Sequence, residues 1–169
     1  MTTAGPRLRD VRPEDVDAYV RMRCDPVMTA ELGGPLPVEG MAEKVLRDVA
    51  RAAADEWWVK MILPEDSAEV AGTVTLWPHR VDGAAAAEIG WMVLPGFQGR
   101  GLAKRAVRAV LDLAVADGRW GVVHAFPGVG NGPSNAICRA LGFTLLGERE
   151  TGFAGRVLRT HHWTVDTRR

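Results

Sequence analysis

The spacing of apolar residues changes several times along this chain, and each change marks an element. Trp57 to Leu63 and Val70 to Trp77 are dense in valine, isoleucine, threonine and tryptophan, residues that suit a pleated sheet. Pro64-Glu65-Asp66-Ser67 between them has turn chemistry, so the pair predicts a hairpin. Glu88 to Leu94 alternates, with Ile89, Trp91 and Val93 on one face of a strand and Glu88, Gly90, Met92 and Leu94 on the other. Leu8 to Val11, Trp120 to Phe126, Phe143 to Gly147 and Leu158 to Val165 predict four more strands.

Other stretches carry helical spacing. Pro13 followed by Glu14 and Asp15 suits a helix start, and that helix runs to about Cys24, before Pro26. Met41, Val45, Leu46, Val49 and Ala53 write the apolar face of a second helix. Ala103, Val107, Val110, Leu111 and Ala114 write a third, and Ser134 to Leu141 predicts a short fourth closed by Gly142. The alanine-rich stretch before Glu88 reads as a connection. The resulting order, β, α, α, β, β, β, α, β, α, β, β, predicts an α/β (α+β) sandwich around one sheet and argues against a helical bundle.

A length of 169 residues predicts one domain spanning 1–169. Lysine plus arginine and aspartate plus glutamate both total 21, so no overall field draws the protein to nucleic acid or an anionic membrane. Met1 to Val11 lacks the apolar centre of a leader, and no apolar run approaches the roughly 20 residues of a membrane span. A cytoplasmic protein is expected. Cys24 and Cys138 lack zinc-site spacing, and no metal site is suggested.

The chemistry concentrates between the strand at Glu88 and the helix at Ala103. Gln98-Gly99-Arg100-Gly101-Leu102-Ala103 has two glycines that let a backbone approach a ligand. Arg100, Lys104, Arg105 and Arg108 then crowd the first helical turns, where the helix dipole favours negative charge. A bound phosphate resolves that conflict; a solvated basic face beside a flexible turn is the plainer reading. Neither G-x-x-x-x-G-K-[ST] nor G-x-G-x-x-G is present, which argues against a P-loop enzyme and a conventional dinucleotide binder.

Gln98, Gly101 and Ala103 fill the Q/R-x-x-G-x-G/A motif of the GCN5-related N-acetyltransferase (GNAT) superfamily, which the chain resembles. Glu88 to Pro95 looks like that family's bulged fourth strand. Asn131, Ser134 and Leu141-Gly142-Phe143 match its N-x-x-S and L-G-F, with eleven residues from Asn131 to Gly142. Leu8 to Ala53 more weakly resembles the branch containing ribosomal-protein N-terminal acetyltransferases.

The resemblance implies a mixed, mostly antiparallel sheet with a splayed strand pair, flanked by about four helices. It implies acetyl-CoA as donor and a primary amine, on a protein N-terminus or a small molecule, as acceptor. The backbone of Met92, Val93 and Leu94 would hold the pantetheine arm. Gln98, Gly99, Arg100, Gly101, Leu102, Ala103 and Lys104 would hold the pyrophosphate, and Asn131 and Ser134 would lie along the arm. The backbone N–H of Val93 or its neighbour would face the thioester oxygen.

Amine acetylation requires a neutral nucleophile and a proton for the departing thiolate. Glu88, on a half-buried strand face beside Gly90, is the candidate base, acting through water; a strand-start glutamate paired with an arginine is the alternative. The family's tyrosine proton donor would fall on Cys138, and the chain's one tyrosine, Tyr19, lies on the first helix. Ser134 with bound water therefore ranks ahead of Cys138 as donor. His124 is a further base or polar wall, while His161 and His162 should point to opposite sheet faces. An acceptor pocket is expected between Met28 to Val38 and Thr151 to Arg159, in a monomer or homodimer. A noncatalytic acyl-CoA-binding module, an enzyme acetylating an antibiotic or metabolite amine, and a nucleic-acid binder using Arg100 to Arg108 are the alternatives.

Overall fold

The computed structural model describes residues 5–168; Met1 to Ala4, where the segment read as lacking a leader begins, and Arg169 lie outside them. A seven-stranded sheet has the order β1-β2-β3-β4-β5-β7-β6. Its strands are β1 (Arg7–Asp10), β2 (Trp58–Leu63), β3 (Gly72–Val81), β4 (Ala84–Val93), β5 (Val122–Ala125), β6 (Thr144–Phe153) and β7 (Arg156–Asp166). All neighbours run antiparallel except β4 and β5. The helices are α1 (Val16–Arg23), α2 (Met41–Ala53), α3 (Leu102–Asp117) and α4 (Gly132–Ala140). The predicted α/β order is therefore the observed one.

Alternation along the strands divides the core between the two sheet faces. Val59, Met61 and Leu63 of β2 pack with Tyr19 and Met22 of α1 and Met41 and Val45 of α2. Ile62, with Val74, Leu76 and Ile89, packs under Leu102, Ala106, Val107 and Val110 of α3 and Cys138 of α4. Among the described residues, no helix is long and apolar enough to cross a membrane.

Three local expectations change. The alanine run is strand, because Asp82 (φ 50°) and Gly83 (φ 80°) form a two-residue turn that carries β3 into β4. On α2, Leu46 is 55% exposed and Asp48 is buried instead. Its carboxylate is tolerated there because Tyr19 donates to Oδ2 at 2.7 Å and Lys44 at 3.1 Å. Strand β6 runs past Gly147 to Phe153, with a register shift between Leu145 and Gly147 that breaks the period-two pattern.

The site depends on how β4 and β5 separate. They pair only at Ala87 with Val123 and Glu88 with His124, so the backbone of β4 beyond Glu88 has no strand partner on its β5 side. A wedge opens there, and Glu88, Met92, Asn131 and Ser134 line it.

Candidate active site

A cleft of about 280 Å³ occupies the wedge, reaching from Glu88, Gly90 and Met92 to Asn131 and Ser134. Its outer walls include Thr29, Glu31, Leu32 and Leu36 from one loop and Thr151, Gly152, Phe153 and Leu158 from the β6–β7 hairpin. These are the two segments between which the acceptor pocket was expected. They are fastened together by Arg156, a residue the sequence did not single out. Its guanidinium donates to the carbonyls of Leu32 at 3.3 Å, Gly34 at 2.7 Å and Pro35 at 3.3 Å.

Glu88 lines this cleft with its side chain 18% exposed. Burial raises its carboxyl from 4.5 to about 7, so the carboxylate is poised to accept a proton near neutral pH. Its nearest ionisable neighbour is histidine, not the arginine of the alternative reading: His79 Nε2 stands 3.4 Å away. The space expected above Gly90 is partly filled, since a Cβ there would meet the Trp77 ring at 3.4 Å.

The cross-strand partner of Glu88 on β5 is His124. His124 does not line the cleft; its Nδ1 lies 2.7 Å from His162 Nε2, and the two rings stack with centroids 5.0 Å apart. Burial lowers the pKa of both imidazoles. His161 points to the other face, where its Nδ1 meets Asn135 Oδ1 at 2.8 Å.

The glycine loop adopts the backbone expected of it. Gly99 and Gly101 have φ of 77° and 71°, conformations that carry little cost only for glycine. Gly101 caps α3, and the first internal bond there runs from Arg105 N–H to Gly101 O at 3.1 Å. The amides of Leu102, Ala103 and Lys104 thus have no partner in a preceding helical turn. Gln98 closes the loop's entrance by donating from Nε2 to Val93 O at 2.9 Å.

The charge argument for that loop needs correction. Arg100 pairs with Asp66 at 2.9 Å, and Arg105 pairs with Glu65 and also donates to Arg100 O at 3.2 Å. The turn between β2 and β3 therefore neutralises two of the four basic residues. Lys104 and Arg108 stay exposed beside the free amides.

The backbone of β4 is also more committed than expected. Leu94 N–H donates to Ala71 O at 2.8 Å, and Leu94 O accepts from Phe97 N–H at 2.9 Å. Leu94 is thus a poor partner for a pantetheine arm, and Val93, with its carbonyl on Gln98 Nε2, has only its N–H to offer beside Met92.

On the opposite wall, Asn131 caps α4, its side chain accepting from Ser134 N–H at 3.2 Å. The buried residue beside them, Asn135, is a hub the sequence reading missed. Its Nδ2 donates to the carbonyls of Gly128 at 3.0 Å and Asn131 at 2.8 Å, and its Oδ1 accepts from Trp163 Nε1 at 2.8 Å. Asn135 thereby ties the Asn131 loop to β7. A buried asparagine directly after Ser134 was the available signal, since a buried amide must find partners.

Cys138 is fully buried in the α3–α4 side of the core and does not line the cleft. Burial pushes its thiol up to about 12. Proton donation from Cys138 is corrected on this ground: its environment is that of a small apolar core residue. Tyr19 is likewise remote from such a role, buried between α1 and α2 with its hydroxyl on Asp48.

Known structures share the whole architecture. An acetyltransferase of the GNAT family from Bacillus anthracis aligns with a TM-score of 0.79 at 15% identity, covering 100% of this chain and 99% of that one. A ribosomal L7/L12 alpha-N-protein acetyltransferase in complex with coenzyme A aligns with a TM-score of 0.78 at 18% identity, over 98% of this chain and 96% of that one. A microcin C7 self-immunity acetyltransferase in complex with acetyl-CoA and AMP aligns with a TM-score of 0.76 at 15% identity, over 97% and 93%. The family model described as an acetyltransferase (GNAT) domain matches residues 7–144, and the chain belongs to that family.

Proposed function

We propose that this protein, as one domain, is an acetyl-CoA-dependent N-acetyltransferase that moves the acetyl group directly to a primary amine in a ternary complex. The observation that carries this reading is a half-buried carboxyl, Glu88, with a pKa of about 7 at the point where β4 and β5 part. Glu88 takes the ammonium proton through water, freeing the amine to attack the thioester carbon. The N–H of Val93 faces the oxygen on which charge develops. The carbon–nitrogen bond forms, the carbon–sulfur bond breaks, and Ser134 with water relays the proton that the attacking nitrogen loses to the departing thiolate.

The amides of Leu102, Ala103 and Lys104 would receive the pyrophosphate, with Lys104 and Arg108 supplying charge. Met92 would hold the pantetheine arm from one wall, with the Val93 N–H kept for the thioester oxygen, and Asn131 and Ser134 would lie along the arm from the other. The acceptor enters between the loop at Thr29 to Leu36 and the β6–β7 hairpin. The fold's occurrence in a ribosomal L7/L12 alpha-N-protein acetyltransferase supports a protein N-terminus as one acceptor class, and the cleft is also of a size for a small amine.

Thiol release from acetyl-CoA, measured against peptides, amino acids and aminoglycosides, tests the reading. Amine-dependent release supports it; coenzyme binding with no release in any arm favours a noncatalytic acyl-CoA-binding module. The core position of Cys138 is the observation on that second side, because the thiol standing where the family's tyrosine would fall does not line the cleft.

A further inference from the structure

Among the described residues, one cation in the cleft wall has a buried N–H group without a hydrogen-bond acceptor. Arg23, the last residue of α1, lines the cleft that Glu88 lines. Its Nη1 is buried without a hydrogen-bond partner. The guanidinium sits 4.4 Å from the centroid of the Tyr19 ring, a contact that uses its face and leaves its N–H groups unspent. Asp48 attracts Arg23 through space without bonding it: its Oδ2 takes Tyr19 at 2.7 Å and Lys44 at 3.1 Å, and its Oδ1, which has no hydrogen bond, lies 3.7 Å from Arg51. Burial lowers the pKa of Arg23, but a guanidinium keeps its charge in proteins.

A buried donor without an acceptor is costly, and among the described residues no carboxylate accepts a hydrogen bond from this one. Glu31, the other acid of the cleft beside Glu88, is exposed and packs against Gly128 and Gly130, where an added Cβ would come within 3.1 and 3.2 Å of its Oε2. The cleft that holds Arg23 and Glu88 is lined by Leu36, Trp77 and Met92 together with the hydroxyl-bearing Thr73 and Thr75. The cleft therefore presents a carboxylate at one place, a guanidinium at another and hydrophobic surface besides.

We propose that Arg23 selects acceptors that carry a carboxylate together with the amine, the carboxylate meeting the guanidinium while the amine faces Glu88. The inference rests on the transferase reading above and gives it a substrate class: an aminocarboxylate with an apolar body. Planar carboxylates match the guanidinium fork. The carboxylate can belong to a free amino acid or to an acidic residue near a peptide N-terminus.

The test compares matched pairs in the thiol-release assay with saturating acetyl-CoA: leucine and phenylalanine against their amides, and tripeptides with glutamate at the second position against the same peptides with glutamine. An amino-acid amide has the more readily neutral amine, so chemistry alone favours it. The expected result is kcat/KM at least tenfold higher for the carboxylate member of one set, and which set identifies the source. In Arg23→Lys and Arg23→Met the ratio should fall toward one. The ratio is internal to each variant, so a general loss of active protein does not move it, and the wild-type comparison stands if neither variant folds. Equal rates within each pair, with amines still acetylated, overturn the inference and leave the transferase reading intact. If no amine is acetylated, both fall.

Discussion

Replacing Glu88 by glutamine should slow the enzyme and stabilise it, and the stabilisation has a definite pH dependence. Burial raises the carboxyl from 4.5 to about 7. The folded state therefore holds the proton more tightly than the unfolded state. A raised pKa means that stability is fully present below the unfolded value and is lost as pH rises through the folded one. At about 1.4 kcal/mol for each pH unit, ionised Glu88 costs the native state about 3 kcal/mol at pH 8 relative to pH 4. Glutamine keeps the shape without the charge, so Glu88→Gln should match wild type near pH 4 and exceed it by up to about 3 kcal/mol at pH 8. Urea unfolding of both proteins across that range measures the difference. In parallel, wild-type kcat/KM should rise with pH through about 7, and the variant should lose about 100-fold or more in kcat. A constant stability difference across the range would show that Glu88 titrates like a surface glutamate. Unchanged turnover would remove it as the base.

Other perturbations separate packing from chemistry. Cys138→Ala should cost about 1–2 kcal/mol through the small cavity it leaves, with acetyl transfer unchanged once folded protein is counted; a collapse in kcat alone would restore the thiol to the mechanism. Asn135→Ala should cost about 3 kcal/mol, since the buried Trp163 indole loses its acceptor, and it should weaken coenzyme binding by loosening Asn131; a melting temperature equal to wild type would deny the hub. Gly101→Ala places a side chain at φ 71°, a strain of about 1–2 kcal/mol, and should raise the acetyl-CoA dissociation constant more than the acceptor KM. Equal affinity by calorimetry would show that the loop conformation is not needed for the coenzyme.

What could be read from the chain follows from the range of the interactions involved. Helix α3 was legible because Val107, Val110 and Leu111 repeat with helical period and all are buried. The loop before it was legible because a left-handed backbone at Gly99 and Gly101 calls for glycine locally. Contacts between distant segments were not. Arg105 and Glu65 stand 40 positions apart, so the basic first turn looked uncompensated until the β2–β3 turn was folded against it. Arg156 reaches back 122 positions to Gly34, and no local pattern announces such a clamp. Asp48 took the buried place assigned to Leu46 because Tyr19 and Lys44 approach it in the fold, a case of tertiary pairing overriding hydrophobic spacing. Alanine has weak strand preference, yet Ala84 to Ala87 pair with Val81 to Pro78 once the turn at Asp82 and Gly83 is made.

Family membership, the glycine loop and the parted strands all converge on one molecule, so the most direct test is acetyl-CoA binding itself. Calorimetric titration of the purified protein with acetyl-CoA should give a single saturable site per chain. If Lys104 and Arg108 meet phosphate as proposed, the affinity should fall as salt rises, and Lys104→Ala with Arg108→Ala should weaken it about tenfold. Titration with no heat and no rise in melting temperature at millimolar acetyl-CoA would contradict the account at its centre.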